Sequence, residues 1–163
     1  MILVLPLLEA SAATIDNMPS MIKAVQRIGN LALQNNILIC VETLLSADAL
    51  NHFVNGVDLP NVKAVFDTGN RALETTSLKD DIIKLGENIS HVHIKDKNRD
   101  GENVILGSGI VDFCGVFEGL MAINYRGALN FETNRGAIPI DTARFNLMFC
   151  EYFAQNAKSA IGR

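Results

Sequence analysis

Short apolar runs alternate with longer amphipathic segments along the whole chain. An uninterrupted apolar run is typical of a strand buried on both faces, whereas apolar positions that recur every three to four residues indicate a helix packed on a core. The apolar runs predict strands at residues 2–8, 37–42, 62–66, 89–94 and 128–131. The amphipathic segments predict helices at residues 16–36, 47–57, 78–87, 113–124 and 141–158. Asp16 or Asn17 is expected to cap the first helix, and Ser77 the third.

This order of elements is a βα unit repeated five times, and it predicts an α/β fold with parallel strands joined by right-handed crossovers. A closed barrel needs eight such units and usually about 250 residues, whereas this chain has 163. The chain is therefore either an open sheet or the carboxyl-terminal portion of a larger barrel. Both arrangements leave strand edges unpaired, and we expect the chain to associate with another copy through them.

Four of the predicted strands end on residues that bind metal ions. Glu42 closes the second strand, Asp67 follows the third, His93 lies near the end of the fourth, and Glu132 follows the fifth. The carboxyl ends of parallel strands meet at one side of the sheet, where ligands bind in such folds. Three carboxylates and one imidazole suit Mn²⁺, Mg²⁺ or Co²⁺, with Zn²⁺ as a further option. The pattern predicts a divalent-metal site.

Each of these residues also has a structural explanation when it is taken singly. Glu42 and Glu132 are equally well explained as solvent-facing or capping groups, and Asp67 precedes a turn sequence in which its carboxylate would accept backbone N–H groups. His91 and His93 share one face of their strand. We expect His93 to be the ligand, because it lies nearer the carboxyl end, and His91 to be a supporting residue.

Composition and charge set limits on the class of protein. The chain is 48% hydrophobic and 20% charged with a net charge of −4, which fits one soluble domain and gives no general attraction to nucleic acid or to acidic membranes. No apolar stretch approaches the roughly 18 to 20 residues of a membrane helix. Cys40, Cys114 and Cys150 each lie in an apolar run, and we expect buried, reduced thiols and a cytoplasmic protein.

The strand ends together resemble a known family. The segments that carry the resemblance are ILICVET, AVFDTGN, SHVHIKDKNRDGENVILGSGIVDF and ALNFETNRG. They are similar to the last four strand ends of the sugar-phosphate isomerase/epimerase family, the xylose isomerase-like TIM barrels that include ketose 3-epimerases and hydroxypyruvate isomerases. The resemblance implies that residues 1–163 form a single domain of this type that lacks the first three βα units and contains strands 4 to 8 of the barrel.

The resemblance also implies an activity. In the family, Glu, Asp, His and Glu at these strand ends hold the metal, and they correspond here to Glu42, Asp67, His93 and Glu132. We expect Mn²⁺ as the metal, and a small sugar or sugar phosphate as the substrate. Epimerising or isomerising a ketose requires removal of a proton next to a carbonyl, for which the metal supplies Lewis-acid stabilisation of an enediolate. Glu42 and Glu132 are then the acid and base, in an order that depends on the sugar.

The long polar loop at residues 95–112 supplies candidates for substrate binding. Arg99 lies six residues after His93, where similar ketose epimerases often have an arginine that contacts substrate. Lys95 is a second candidate for binding phosphate or hydroxyl groups, and an ordinary solvated charge run is the alternative. Asn70 replaces a histidine that several epimerases have three residues after the metal-binding Asp, and we include it and His91 among the candidate substrate contacts.

Two other functions are compatible with the same residues. A sugar dehydratase of the inosose dehydratase type would use the same set of metal ligands. A chain without the first strands of its barrel could also have lost its activity and persist as a binding or assembly module. Metal-dependent turnover of a sugar by the isolated chain distinguishes an enzyme from such a remnant.

Overall fold

A computed structural model describes residues 1–161, which form a five-stranded parallel sheet, a two-stranded antiparallel hairpin and six α-helices. The strands are β1 (Ile2–Pro6), β2 (Leu38–Glu42), β3 (Val62–Asp67), β4 (Ile89–Ile94), β5 (Asp96–Lys97), β6 (Asn103–Val104) and β7 (Leu129–Phe131). The helices are α1 (Met18–Gln34), α2 (Ala47–Val57), α3 (Thr68–Ala72), α4 (Leu78–Leu85), α5 (Phe113–Ala122) and α6 (Pro139–Ile161). Two 3₁₀ turns lie at Glu9–Ser11 and Gly86–Asn88.

The main sheet has the order β1-β2-β3-β4-β7, and every neighbouring pair is parallel. Successive helices pack side by side outside it, α1 on α2, α2 on α4, α4 on α5 and α5 on α6. The predicted α/β class with five βα units is therefore confirmed as a half-barrel. No helix among the described residues is both long and apolar enough to cross a membrane.

The core lies between the three central strands and the helices. Strands β2, β3 and β4 are buried along almost their whole length, as their continuous apolar sequences predict. Phe53 of α2, Phe66 of β3 and Ile82 of α4 are among the fully buried side chains that fill it. The outer strands differ, since Leu3 of β1 is 47% exposed and Phe131 of β7 is 37% exposed. Each outer strand has a neighbour on one side only within residues 1–161.

Local capping explains where several helices begin. The side chain of Ser77 accepts a hydrogen bond from the backbone N–H of Asp80, at 3.2 Å, which confirms the predicted cap of α4. The predicted cap of α1 is wrong. Asn17 precedes that helix, but its side-chain oxygen accepts a hydrogen bond from the backbone N–H of Thr14, because the chain turns back on itself just before the helix.

The cysteine prediction is partly wrong. All three thiols are free, and Cys40 and Cys150 are buried as expected. Burial raises the pKa of Cys40 to about 11 and that of Cys150 to about 12, so both are poor nucleophiles. Cys114 is exposed, because the first turn of α5 directs this position away from the core.

One buried carboxylate organises the loop at residues 95–112. Asp96 accepts four hydrogen bonds of 2.9 to 3.1 Å from backbone N–H groups, which belong to Lys97, Gly107, Gly109 and Val111. These bonds fold the loop over a short antiparallel hairpin of β5 and β6. A Cβ atom at Gly109 would collide with the Asp96 carboxylate and the Lys97 carbonyl oxygen, so this position requires glycine.

Replacing Asp96 by Asn should loosen this loop and destabilise the protein. The amide keeps the shape of the side chain but removes the charge and points N–H groups at backbone donors, so we expect the free energy of unfolding to fall by about 2 to 4 kcal/mol. Denaturant unfolding and amide hydrogen exchange of residues 97–111 measure the effect. Asp100→Asn, an exposed change in the same loop, is the matched control. Unchanged stability and unchanged exchange in Asp96→Asn would contradict this account of the loop.

Candidate metal centre

The four predicted ligands meet at the carboxyl ends of the strands. Glu42, Asp67, His93 and Glu132 each present one ligand atom, and these atoms all lie within 4.8 Å of one another. We call these four residues the ligand cluster. Glu42 and Asp67 are the last residues of β2 and β3, His93 lies one residue before the end of β4, and Glu132 directly follows β7.

Backbone pairing sets this arrangement. Asp67 pairs in register with His93, and His93 pairs with Asn130 of β7. The backbone N–H of Glu132 then donates to the carbonyl oxygen of Ile94, at 3.1 Å, which continues the ladder beyond the end of β7. The carboxyl ends of β3, β4 and β7 therefore lie side by side, and Asp67, His93 and Glu132 meet there.

The atoms of the ligand cluster are suited to a cation. The Nδ1 atom of His93 lies 3.3 Å from Glu132 Oε2, 3.6 Å from Asp67 Oδ2 and 3.7 Å from Glu42 Oε2. His93 Nδ1 is buried and makes no hydrogen bond within the described chain. Buried polar atoms without partners are rare. Three carboxylate oxygens and an imidazole nitrogen that converge without bonding one another fit Mn²⁺, Mg²⁺ or a similar divalent ion.

Asn70 orients two of the acidic residues from α3. Its backbone N–H donates to Asp67 Oδ1 at 2.7 Å, and its side-chain amide donates to Glu42 Oε1 at 3.2 Å. One oxygen of each carboxylate is thereby held, and the other oxygen remains directed into the ligand cluster. Asn70 thus lies beside the predicted ligands, in a position to support them.

Lys95 enters the ligand cluster directly. Its side chain is only 8% exposed, and its Nζ lies 2.9 Å from Asp67 Oδ2 and 2.8 Å from Glu132 Oε2. Its backbone is fixed by Thr68, whose hydroxyl donates to the Lys95 carbonyl oxygen at 2.6 Å and accepts from the Lys95 N–H at 2.9 Å. The sequence pattern predicts neither the contact of Lys95 with the ligand cluster nor the hydrogen bonds by which Thr68 holds the Lys95 backbone.

The other two candidate substrate contacts lie at different distances from the ligand cluster. His91 is buried behind His93, and the two rings meet edge to face with centroids 5.0 Å apart. Burial lowers the pKa of His91, and the neighbouring His93 adds to this effect. Arg99 lies in the turn between β5 and β6, is exposed, and makes no ion pair with another described residue. The structure therefore brings His91 next to the ligand cluster and leaves Arg99 in solvent.

The electrostatics of the ligand cluster reflect crowded carboxylates. Burial and the nearby Asp67 carboxylate raise the pKa of Glu42 above its usual value. Burial also opposes ionisation of Asp67, but the proximity of His93, the Asn70 N–H and Lys95 outweighs it and lowers the pKa of Asp67. The Asp67 carboxylate raises the pKa of His93 against the opposing effect of burial, and Glu42 and Glu132 act in the same direction. For Lys95, burial is outweighed by Glu132 and Asp67, which raise its pKa.

A half-barrel of parallel strands with its polar cluster at the carboxyl ends defines this chain as a TIM-barrel-type α/β protein, the class in which sites form at that face. The model of the xylose isomerase-like TIM barrel family matches residues 5–151, and the chain belongs to this family.

Two relatives with named activities are similar to this chain in sequence. The chain is 28% identical over 129 residues to the L-ribulose 3-epimerase of Methylomonas sp. (strain DH-1), a match that covers 74% of the chain and 44% of that relative. It is 31% identical over 80 residues to the D-psicose 3-epimerase of Enterocloster bolteae, which covers 49% of the chain and 25% of that relative. The matches span less than half the length of either relative.

Solved structures share its fold. A crystal structure of the D-allulose 3-epimerase from Methylomonas sp. superposes with a TM-score of 0.65 at 26% identity, covering 77% of this chain and 46% of that one. A structure of L-ribulose 3-epimerase superposes with a TM-score of 0.81 at 20% identity, covering 95% of this chain and 60% of that one. The second likeness shows the fold alone.

Metal binding should strengthen as the pH rises. A divalent ion held by the ligand cluster would need the neutral imidazole of His93, but the surrounding carboxylates raise the pKa of this group, so a proton would compete for it to a higher pH than usual. We expect the Mn²⁺ affinity, measured by calorimetric titration, to continue to increase as the pH rises above 6.5, the ordinary pKa of histidine.

Two variants separate this effect from general protonation. His93→Gln should bind Mn²⁺ more weakly and lose most of the pH dependence, whereas His52→Gln on α2 should retain both the affinity and the pH profile. An affinity that does not change over this range in the unmodified protein would contradict the assignment of His93 as a ligand.

Proposed function

We propose that this chain carries the metal site and the acid/base pair of a sugar epimerase or isomerase, with a ketose or ketose phosphate as substrate. The observation that carries the proposal is the meeting of two glutamates, one aspartate and one histidine within 4.8 Å at the carboxyl ends of the strands. Relatives named as 3-epimerases of ribulose and psicose support the substrate class. In this proposal, the chain is one domain that corresponds to the later βα units of the barrel.

Glu42 and Glu132 are the proposed proton carriers. They come from β2 and from the end of β7, two strands that are separated in the sheet by β3 and β4, so their carboxylates approach the cluster from two sides. Removal of a proton next to a carbonyl and its return from the other side requires such a pair. A bound divalent cation, Mn²⁺ in our proposal, would supply Lewis-acid stabilisation of the negative charge that develops on the substrate oxygens.

The two glutamates differ in their exposure and in the contacts that hold them. Glu42 is 9% exposed in its side chain and is held by the amide of Asn70, whereas Glu132 is 52% exposed and is held only through Lys95 and the proximity of His93. Glu132 can therefore turn between the cluster and a substrate more freely than Glu42. Asp67, with both oxygens engaged or directed into the cluster, is proposed to act only as a ligand.

The proposed substrate contacts are His91, Arg99, Lys95 and Asn70. Asn70 and Lys95 touch the ligand cluster, and His91 adjoins it through His93. Arg99 would meet a sugar or its phosphate only if the substrate extended toward the hairpin of β5 and β6, where this guanidinium is exposed.

Replacing Glu132 by Gln should abolish most turnover without unfolding the protein. Loss of one acid or base typically reduces the rate about 10² to 10⁴-fold, and the half-exposed position tolerates an isosteric amide. The assay measures Mn²⁺-dependent conversion of a panel of ketoses and ketose phosphates, with metal content and melting temperature determined in parallel. Glu151→Gln, an exposed change on α6, is the matched control.

The outcomes of this assay separate the competing functions. Full activity in Glu132→Gln would contradict its catalytic role. A product that has lost water, rather than an epimer or isomer, would indicate a dehydratase of the inosose dehydratase type. Bound metal without any turnover in the unmodified chain would contradict an epimerase activity of this chain and would favour a binding or assembly module.

We further propose that a second copy of this chain covers the outer strands. Leu3 of β1 is 47% exposed, Phe131 of β7 is 37% exposed, and each of these strands has an unpaired edge within residues 1–161. Because both edges belong to one parallel sheet, β1 of one copy can pair in parallel with β7 of another. Exposed, apolar strand edges are the usual sites of such pairing.

Light scattering after size-exclusion chromatography tests this association. We expect the unmodified chain to be dimeric or larger and Leu3→Lys to shift toward the monomer, because a charged residue on an edge strand opposes pairing. Leu73→Lys, at a position that is 42% exposed and away from both outer strands, should leave the assembly unchanged. A monomeric unmodified protein at micromolar concentration would contradict the proposal.

A further inference from the structure

We infer that Lys95 is a built-in counter-cation of the ligand cluster, which competes with a divalent metal for the same carboxylate oxygens. This inference rests on the proposed metal site, because it concerns how that site is stabilised without metal and how tightly it binds metal. It gives Lys95 a role inside the ligand cluster that differs from contact with a substrate phosphate.

The position of the ammonium group carries the inference. Lys95 Nζ lies 2.9 Å from Asp67 Oδ2 and 2.8 Å from Glu132 Oε2. The same two oxygen atoms are those nearest to His93 Nδ1, at 3.6 Å and 3.3 Å. Lys95 therefore contacts the oxygens that face the centre of the ligand cluster, and these are the atoms that a cation there would need.

Asp67 has no second oxygen to offer. Its Oδ1 atom accepts the backbone N–H of Asn70 at 2.7 Å, so Oδ2 is the oxygen that remains for either Lys95 or a metal ion. An ammonium group and a divalent ion cannot both approach one small group of oxygens closely without repelling each other. Binding of the metal must weaken or displace the contact of Lys95 with Asp67.

The chain is built to bring the Lys95 side chain to this position. Thr68 fixes its backbone through both the N–H and the carbonyl oxygen. The aliphatic stem then passes over Gly69, where a Cβ atom would lie 2.8 Å from Lys95 Cγ. A larger residue at position 69 would push the stem aside. The side chain is also nearly fully buried, so its charge has little water to stabilise it and depends on the carboxylates.

The charges decide the direction of the effect. Without metal, three carboxylates lie within 4.8 Å of one another, and repulsion among them would destabilise the folded chain unless a positive group were present. Lys95 supplies that charge and stabilises the metal-free protein. With metal bound, the same positive charge opposes the ion and lowers its affinity. Removing Lys95 should therefore destabilise the metal-free protein and tighten metal binding.

Lys95→Met tests both effects, with Lys97→Met as the matched control. Methionine keeps most of the aliphatic stem and removes the charge, and Lys97 is the neighbouring lysine whose Nζ instead donates to the Gly101 carbonyl oxygen at 2.7 Å. We expect Lys95→Met to melt at a lower temperature in EDTA, to bind Mn²⁺ at least about tenfold more tightly in calorimetric titration, and to gain more in melting temperature from Mn²⁺. Lys97→Met should match the unmodified protein in Mn²⁺ affinity.

A measurement on the unmodified chain keeps the inference testable if Lys95→Met does not fold without metal. The rate at which an amine reagent labels Lys95, followed by mass spectrometry with Lys97 as internal reference, should rise when Mn²⁺ is added, because the displaced Nζ atom leaves the buried carboxylates and becomes accessible to the reagent. Labelling of Lys95 that is unchanged or slowed by bound Mn²⁺ would overturn the inference.

The outcomes also distinguish this inference from the proposed function. If the unmodified chain binds Mn²⁺ and Lys95→Met binds it equally or more weakly, the competition is refuted while the metal site stands. If the unmodified chain binds no divalent ion at all, the metal site is refuted and the inference with it.

Discussion

The pairing register of the parallel strands β3, β4 and β7 is the constraint on which the site depends. Because Asp67 pairs in register with His93, and the backbone of Glu132 extends the ladder from Ile94, the side chains at these ends are brought to one place whatever their chemistry. Apolar residues could fill that place without difficulty. The chain instead puts three acids there, which must be balanced by positive charge. The ion pairs of Lys95 with these carboxylates meet this requirement, and Asn70 donates hydrogen bonds to two of them.

Several residues with different functions stabilise the three acids. Asn70 neutralises no charge, but it holds one oxygen of Asp67 and one of Glu42, so that the remaining oxygens keep a fixed direction. Lys95 Nζ and His93 Nδ1 lie against the same oxygens, and the carboxylates raise the pKa of both groups. These two groups therefore lie where a metal ion would otherwise neutralise the acids. Preorganisation of this kind orients ligands before any ion arrives.

The sequence predicted the parts of this arrangement that depend on periodicity. Continuous apolar runs ending in Glu42 and Asp67 located the strands and the ligand positions, since a buried strand has no other place for a carboxylate than its end. The sequence did not predict helix α3. The Asp67 carboxylate caps this helix by accepting the backbone N–H of Asn70, and the same carboxylate also belongs to the ligand cluster, so one residue has two roles. The sequence also missed the position of Lys95, whose ammonium group reaches the ligand cluster through a choice of rotamers that no sequence pattern records. Asp96 lies in a loop whose polar sequence is typical of solvent-exposed residues, but its backbone hydrogen bonds hold it in a buried position.

Because the structure is a half-barrel, the two proposed proton carriers differ in their exposure to solvent. Glu42 follows an inner strand and is enclosed, whereas Glu132 follows an outer strand and is 52% exposed in its side chain. Proton abstraction next to a carbonyl needs a site from which water is largely excluded, because charges act strongly only where the surroundings are dry. The four proposed ligands all lie within the described residues, whereas the β7 side of Glu132 has no further strand beside it among them. A second copy that covered the edge of β7, as proposed, would therefore affect the proposed chemistry as well as the stability, and we expect association through that edge and catalysis to depend on each other.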